Sequence, residues 1–325
     1  MPSYPGETFR SRVFGKLLRG TLTGLSRAAR AHPQADPARH NVRVVQDVPY
    51  IATGDASHLL DVYIPTVGEG PFPVVMYVHG GAFQILSKET HFAMALAFAR
   101  RGYVVFNVNY RLAPQNKFPR ALEDLSHAYE WLSANASKYN ADLSRLVLAG
   151  DSAGANLVTS LTLMACDERS EPYAKRIFDL RLMPIAVLPT CGILQVSNPE
   201  RLQARLKRAT WAYDRVVSTS RSYLDAALTA EEQSLADPLL ILESDRTFAR
   251  ALPPFFVGAG TRDPVLDDSR RLIAALDKRK VPCVGKIYPG GIHTFHAFVW
   301  RNDAKAFWRD TYAFLDTYAP NSSAQ

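Results

Sequence analysis

A serine hydroxyl is a weak nucleophile at neutral pH. It becomes a useful one when a base can take its proton and a carboxylate orients that base. Ser152 is placed for such work. It lies in Gly150-Asp151-Ser152-Ala153-Gly154, directly after the apolar run 146–149, and Ala153, Leu157, Leu161 and Met164 then recur at helical spacing. Strand, tight turn and helix with a serine at the tip make a nucleophile elbow. The glycines permit a strained turn and close packing that a Cβ would obstruct. The helix N-terminus beneath the hydroxyl favours developing negative charge.

Acid and base candidates follow in order. Asp263 lies 111 residues beyond Ser152, and His293 lies 30 beyond Asp263. Each stands in a loop directly after a predicted strand, Gly260-Thr261-Arg262-Asp263-Pro264 and Pro289-Gly290-Gly291-Ile292-His293, so both are expected at one rim of a sheet. Asp267 and Asp268 compete with Asp263, but they fall inside a helical pattern, where they suit its N-terminal charge. Asp237 lies in the segment leaving an insertion. His296 competes with His293 but is assigned to the following helix. His32, His40, His58, His91 and His127 read as linker, loop or helix surface. A further motif, His79-Gly80-Gly81-Ala82-Phe83, ends the apolar run 72–78. A strand ending in a glycine pair presents backbone N–H groups free of side-chain bulk, and acyl transfer needs such donors when a carbonyl oxygen becomes an oxyanion. His79 itself suits holding that loop by hydrogen bonding.

These positions require a particular frame. Strands are predicted at 42–51, 59–64, 72–78, 103–108, 146–150, 185–188, 255–259 and 283–288. Helices are predicted at 88–100, 119–137, after Ser152, at 266–278 and at 295–318. Alternation of this kind gives an α/β fold with a mostly parallel central sheet flanked by helices. The alternation breaks after Cys191-Gly192. Residues 199–228, basic and dotted with Trp211, Tyr213 and Tyr223, read as a helical insertion over the carboxyl ends of the strands, part of a lid. Residues 8–30 could form an amphipathic basic helix, and 31–40 a linker.

At 325 residues the chain can bury a large core, and 47% hydrophobic with 21% charged residues is ordinary for a globular protein. The net charge of +7 is uneven: residues 1–40 carry seven Lys/Arg against Glu7 and Asp36, and 199–222 carry six against Glu200 and Asp214. No nucleic-acid motif accompanies this charge, so no nucleic-acid partner is expected. Solvated helix faces are the plainer reading, and contact of the basic N-terminal helix with an anionic membrane the rarer one. Cys166, Cys191 and Cys283 are far apart and in apolar surroundings, as buried free thiols would be. The opening stretch lacks the apolar core of a secretory signal, and a reducing cytoplasm is the expected compartment.

Taken together, four stretches resemble the hormone-sensitive-lipase-like carboxylesterases (family IV of the bacterial lipolytic enzymes) within the α/β-hydrolase superfamily. They are His79–Phe83; Tyr110-Arg111-Leu112-Ala113-Pro114 with Phe118-Pro119 and Glu123-Asp124; Gly150–Gly154; and Asp263-Pro264-Val265 with His293-Thr294-Phe295. The match in order and spacing runs from about residue 70 to 300. The resemblance implies an α/β-hydrolase fold with a helical cap. Ser152 would be the nucleophile, His293 the base and Asp263 the orienting acid. The N–H groups of Gly80, Gly81, Ala82 and Ala153 would form an oxyanion hole. Residues 1–40 would form an N-terminal cap segment and 195–236 a cap insertion, leaving 41–194 and 237–320 as the catalytic domain. Asp124 would help to hold the Tyr110–Pro114 loop. The expected activity is hydrolysis of small-molecule esters with short to medium acyl chains, with no metal or organic cofactor. The expected assembly includes a homodimer paired through the edge strand or last helix. A non-catalytic ligand-binding protein on the same fold, or an amidase or peptidase, are the competing readings. One departure stands out: the family usually has a third glycine where this chain has Ala82.

Overall fold

The computed structural model describes residues 28–206 and 210–320, together with residues 20, 21, 24 and 26. Its centre is an eight-stranded sheet in the order β1-β2-β4-β3-β5-β6-β7-β8. The strands are β1 (Val42–Pro49), β2 (Leu59–Pro65), β3 (Phe72–Val78), β4 (Val104–Val108), β5 (Ala141–Asp151), β6 (Ala186–Thr190), β7 (Phe255–Gly260) and β8 (Cys283–Tyr288). β2 pairs antiparallel with β1 and with β4, and every pairing from β4 to β8 is parallel.

Alternate residues of β3 show why both faces are covered. Val74, Met76 and Val78 enter one core with Leu146, Leu148, Leu157 and Leu161, while Val75 and Tyr77 enter another with Phe92, Phe98, Phe307 and Trp308. The first face is covered by α2 (Arg120–Asn135), α3 (Ala153–Cys166) and α7 (Leu266–Lys278), and the second by α1 (Phe92–Ala99) and α8 (Asn302–Tyr318). With apolar layers on both sides, β3, β4 and β6 are buried along their whole length. The helix behind Ser152, α3, is buried at every position.

Between β6 and β7 lie a 3₁₀ turn (Pro199–Leu202), α5 (Thr210–Tyr223), a second turn (Ser234–Ala236) and α6 (Pro238–Glu243). Two carboxylates close the neck of this stretch. Asp237 Oδ1 accepts the Val196 and Ser197 N–H groups at 2.5 and 3.0 Å. Asp268, fully buried, accepts the Leu194 and Gln195 N–H groups and the Arg201 guanidinium. Asp268 therefore does more than sit in the first turn of α7.

Several expectations are corrected. Residues 199–228 are not one helical run. A 3₁₀ turn precedes α5, and 207–209 lie outside the described residues, as do residues 8–19 of the expected basic helix; residues 28–30 are helical. The closing helix starts at Asn302, not at 295, because Thr294 adopts φ 54° and only a 3₁₀ turn, Phe295–Ala297, forms before the chain loops. α4 (Pro172–Leu180) was not read at all. Its proline start and buried Tyr173, Ala174 and Ile177 make it a short amphipathic helix packed on α2 and α3.

The sheet and the elbow meet at Gly154. A Cβ there would fall on the Val78 carbonyl, which is backbone and cannot turn aside. Gly154→Ala is expected to destabilise the fold by about 1–3 kcal/mol, read as a lowered Tm in thermal unfolding followed by circular dichroism; an unchanged Tm contradicts this contact.

Candidate active site

β5 delivers Asp151 to the sheet rim, and Ser152 turns the chain into α3 at φ 54°, ψ −112°. For a residue with a Cβ this conformation costs roughly 1–3 kcal/mol and persists only where neighbours enforce it. The Ser152 N–H donates to the Thr190 carbonyl at 2.9 Å, and its own carbonyl accepts from Ile193 and Asn156 at 3.3 Å each. The turn is thus fastened to β6 and to the first turn of α3.

Asp263 follows β7 and His293 follows β8, and the structure brings both to Ser152. His293 Nε2 lies 2.9 Å from Ser152 Oγ, and His293 Nδ1 lies 2.9 Å from Asp263 Oδ1. The same Oδ1 accepts the Val265 N–H at 2.9 Å. A carboxylate only accepts, so the Nδ1 proton points at Asp263 and the Nε2 lone pair faces the serine hydroxyl. Burial works to lower the His293 pKa, but the Asp263 carboxylate outweighs it and holds the imidazole above its usual 6.5. Burial likewise works to raise Asp263, and the imidazole opposite it and the Val265 N–H bring it below the ordinary carboxylate value.

The rivals are engaged elsewhere. Asp267 pairs with Arg205, Asp268 with Arg201, and Asp237 closes the neck. His296 is buried in the 3₁₀ turn, and burial pushes its pKa down to about 4.

The glycine loop lies against the elbow. A Cβ on Gly80 would come within 2.5 Å of Asp151 Oδ2. Gly81 (φ 117°), Ala82 (φ 56°) and Phe83 (φ 59°) then coil in the left-handed region, which turns successive N–H groups to one side. Among the described residues, no acceptor within the chain takes the N–H of Gly81, Ala82 or Ala153. The loop is clamped from several directions. His79 Nδ1 donates to the Gly80 carbonyl at 2.7 Å, and the Tyr110 hydroxyl donates to the His79 carbonyl at 2.9 Å. The Phe83 ring stacks on Tyr223 of α5 at 3.7 Å between centroids. Asp124 in turn grips the Arg111 N–H at 2.8 Å and the guanidinium at 2.6 Å.

Two histidines read as surface are buried. His58 Nε2 lies 3.3 Å from Asp124 Oδ1. His91 Nε2 lies 3.3 Å from Asp151 Oδ1, which also accepts the Tyr77 hydroxyl at 2.8 Å. Burial works against charge on both partners, yet their attraction wins: His91 is raised and Asp151 is held well below the carboxylate range. The signal for His91 was its place directly before a wholly apolar helix, where a polar side chain must find a buried partner. Lys88 was missed too. It is buried with its Nζ 2.7 Å from both Asp47 and Asp61 and 2.8 Å from Glu89.

Among the described residues, one group of three could offer ligands to a metal ion: Cys191, Asp263 and His293. Cys191 directly follows β6. Cys166 and Cys191 are buried as expected, while Cys283 is half-exposed, and all three are free.

The sequence model of the α/β-hydrolase fold family matches residues 75–297. The chain belongs to that family. Within it, this α/β-hydrolase falls among the hormone-sensitive-lipase-like members that its motifs resemble. It is 29% identical over 223 residues to an acetyl esterase of Salmonella schwarzengrund, a match covering 68% of this chain. The chain spans 65% of the length of that relative. Among solved structures, it is similar to the esterase LipW of Mycobacterium marinum, with TM-score 0.75, 26% identity and coverage of 96% of this chain and 92% of that one. A hyperthermophilic esterase of the archaeon Pyrobaculum calidifontis is similar at TM-score 0.70 and 26% identity, covering 94% and 93%.

Removing the Asp263 charge removes what stabilises the imidazolium. In Asp263→Asn the His293 pKa, followed by NMR of the imidazole, is expected to fall below that of the parent protein; an unchanged value contradicts the coupling.

Proposed function

We propose that this α/β-hydrolase is a serine carboxylesterase acting on short- to medium-chain acyl esters. The observation that carries the reading is the pair of 2.9 Å contacts running from Ser152 through His293 to Asp263. Ser152 Oγ attacks the ester carbonyl carbon while its proton passes to His293 Nε2. Asp263, ionised and fixed by Val265, stabilises the resulting imidazolium. The carbonyl oxygen, now an oxyanion, is met by the N–H groups of the Gly80–Ala82 loop and Ala153, and losing one such donor costs roughly 3–4 kcal/mol. The proton on His293 then passes to the leaving alcohol. Water attacks the acyl-enzyme by the same route in reverse, giving the carboxylic acid and free serine.

The short-chain preference rests on the similarity to acetyl esterases and on the segment between β6 and β7. We read the described part of 195–236, with that of 1–40, as a cap. Tyr223 brings α5 of that segment onto the glycine loop, and a cap resting there would limit the acyl length that fits above Ser152. Ala82 narrows the alcohol side: its Cβ occupies a left-handed position that the family usually fills with glycine.

A rate series on p-nitrophenyl esters of rising acyl length tests the reading. Rates are expected to fall steeply beyond medium chains, and Ser152→Ala is expected to lower kcat on the order of 10⁴-fold or more. Activity that rises above the solubility limit of long-chain esters would make the protein a lipase, and hydrolysis surviving in Ser152→Ala would end the assignment. The base must be neutral, so kcat/KM is expected to fall as pH drops through the raised His293 pKa, giving an acid limb centred above 6.5. Ala82→Gly, which also relieves the left-handed strain, is expected to raise turnover of a tertiary-butyl ester; equal rates count against that role for Ala82.

A further inference from the structure

The end of β6 carries a thiol into the back of the Asp–His pair. Cys191 and Asp263 are wholly buried, whereas the His293 side chain is 35% exposed at the rim. Sγ of Cys191, a carboxylate oxygen of Asp263 and a ring nitrogen of His293 all lie within 4.8 Å of one another. The nitrogen facing the other two is Nδ1, since Nε2 is turned to Ser152. Asp263 Oδ2 is buried with no hydrogen bond of ordinary geometry among the described residues, and the Cys191 thiol is a donor that faces the carboxylate.

We propose that Cys191, Asp263 and His293 form a binding site for a thiophilic divalent cation of the zinc or cadmium type, and that its occupation switches off the base. Sulfur, imidazole nitrogen and carboxylate oxygen are the donor set such ions select. Metal–ligand bonds of roughly 2.0–2.3 Å place tetrahedral donors about 3.3–3.8 Å apart, so the present cluster needs to adjust by about an ångström or less. The charge balance favours the ion. As it stands the group holds one negative charge, on Asp263, and burial keeps the thiol protonated. When the cation binds, the thiol proton leaves to solvent. The dication then neutralises both thiolate and carboxylate, and no net charge remains buried. His293 is the one partly exposed member of the group, the side from which an ion would have to enter.

The consequence for His293 follows from its two nitrogens. A metal on Nδ1 uses the lone pair there, so the single ring proton of the neutral imidazole must sit on Nε2. Nε2 then donates toward Ser152 instead of accepting from it, and the serine keeps its proton. The relay fails because the Nδ1–H···Asp263 hydrogen bond is replaced by bonds to the metal and the tautomer is reversed, even where Nε2 stays beside Ser152.

This inhibition rests on the esterase reading, and the test separates the two. Cadmium chloride is titrated into the protein while two signals are followed: hydrolysis of p-nitrophenyl acetate, and the ultraviolet charge-transfer absorption of a cadmium–thiolate bond. The parent protein is expected to gain one such band per chain as hydrolysis is lost, and a chelator is expected to reverse both. In Cys191→Ala and Cys191→Ser, each read against its own metal-free rate, the concentration for half-inhibition is expected to rise about tenfold or more, and the band is expected to vanish. Cys283→Ser removes the half-exposed thiol and is expected to keep both. If the band appears but no ester is hydrolysed by the metal-free protein, the metal site stands and the esterase reading falls. If hydrolysis is normal and cadmium leaves rate and absorbance unchanged, or if Cys283→Ser rather than the Cys191 variants abolishes the response, the site is overturned.

Discussion

The close approach of the β3 terminus to the first turn of α3 constrains everything at the sheet rim. Gly150 and Gly154 let backbone lie where a Cβ would meet the Val78 and Gly154 carbonyls. Closing that gap leaves one conformation for the residue between strand and helix, and Ser152 is held in it at φ 54°. A hydroxyl raised on such a turn has little freedom, and its reach to His293 is set by the backbone rather than by a flexible rotamer. This is preorganisation in its simplest form: the strain is met during folding, so in the proposed esterase chemistry the geometry need not be found again at each turnover.

The glycine loop needs equal rigidity with few side chains of its own to supply it. Buried charge does this work. Asp151 holds His91 and Tyr77 beneath the elbow, and Lys88 draws Asp61 of β2 and Asp47 of β1 to the segment that follows the loop. Buried pairs of this kind add little net stability, because desolvation offsets attraction. Their value is orientation: removing one partner leaves a bare charge, so alternative arrangements of the loop are disfavoured. The Phe83–Tyr223 stack extends the same clamp to α5. Loop and insertion are therefore mechanically linked.

Much of this was legible in the residues themselves. Ser152, Asp263 and His293 stood in loops after apolar runs, and parallel strands deliver such loops to one edge. The glycines announced close contacts. What escaped reading depended on partners remote in sequence. His91 falls within the predicted helix 88–100 and reads as surface, because its buried partner Asp151 lies 60 residues on. Lys88, covered only by the predicted helix 88–100, gave no sign of the three carboxylates that enclose it. Cys191 offered only its position at a strand end. The late start of α8 was hidden because the backbone of Thr294, left-handed beside the histidine it follows, has no compositional mark.

The central claim is that the Ser152 hydroxyl is activated by His293 and by no other base. Labelling with a p-nitrophenyl phosphonate, followed by mass spectrometry of the proteolysed protein, reads this directly. The account predicts one phosphonyl group per chain, on Ser152, and in His293→Ala a labelling rate lower on the order of 10³-fold or more. Label on a different residue, or label on Ser152 at an undiminished rate in His293→Ala, would contradict it.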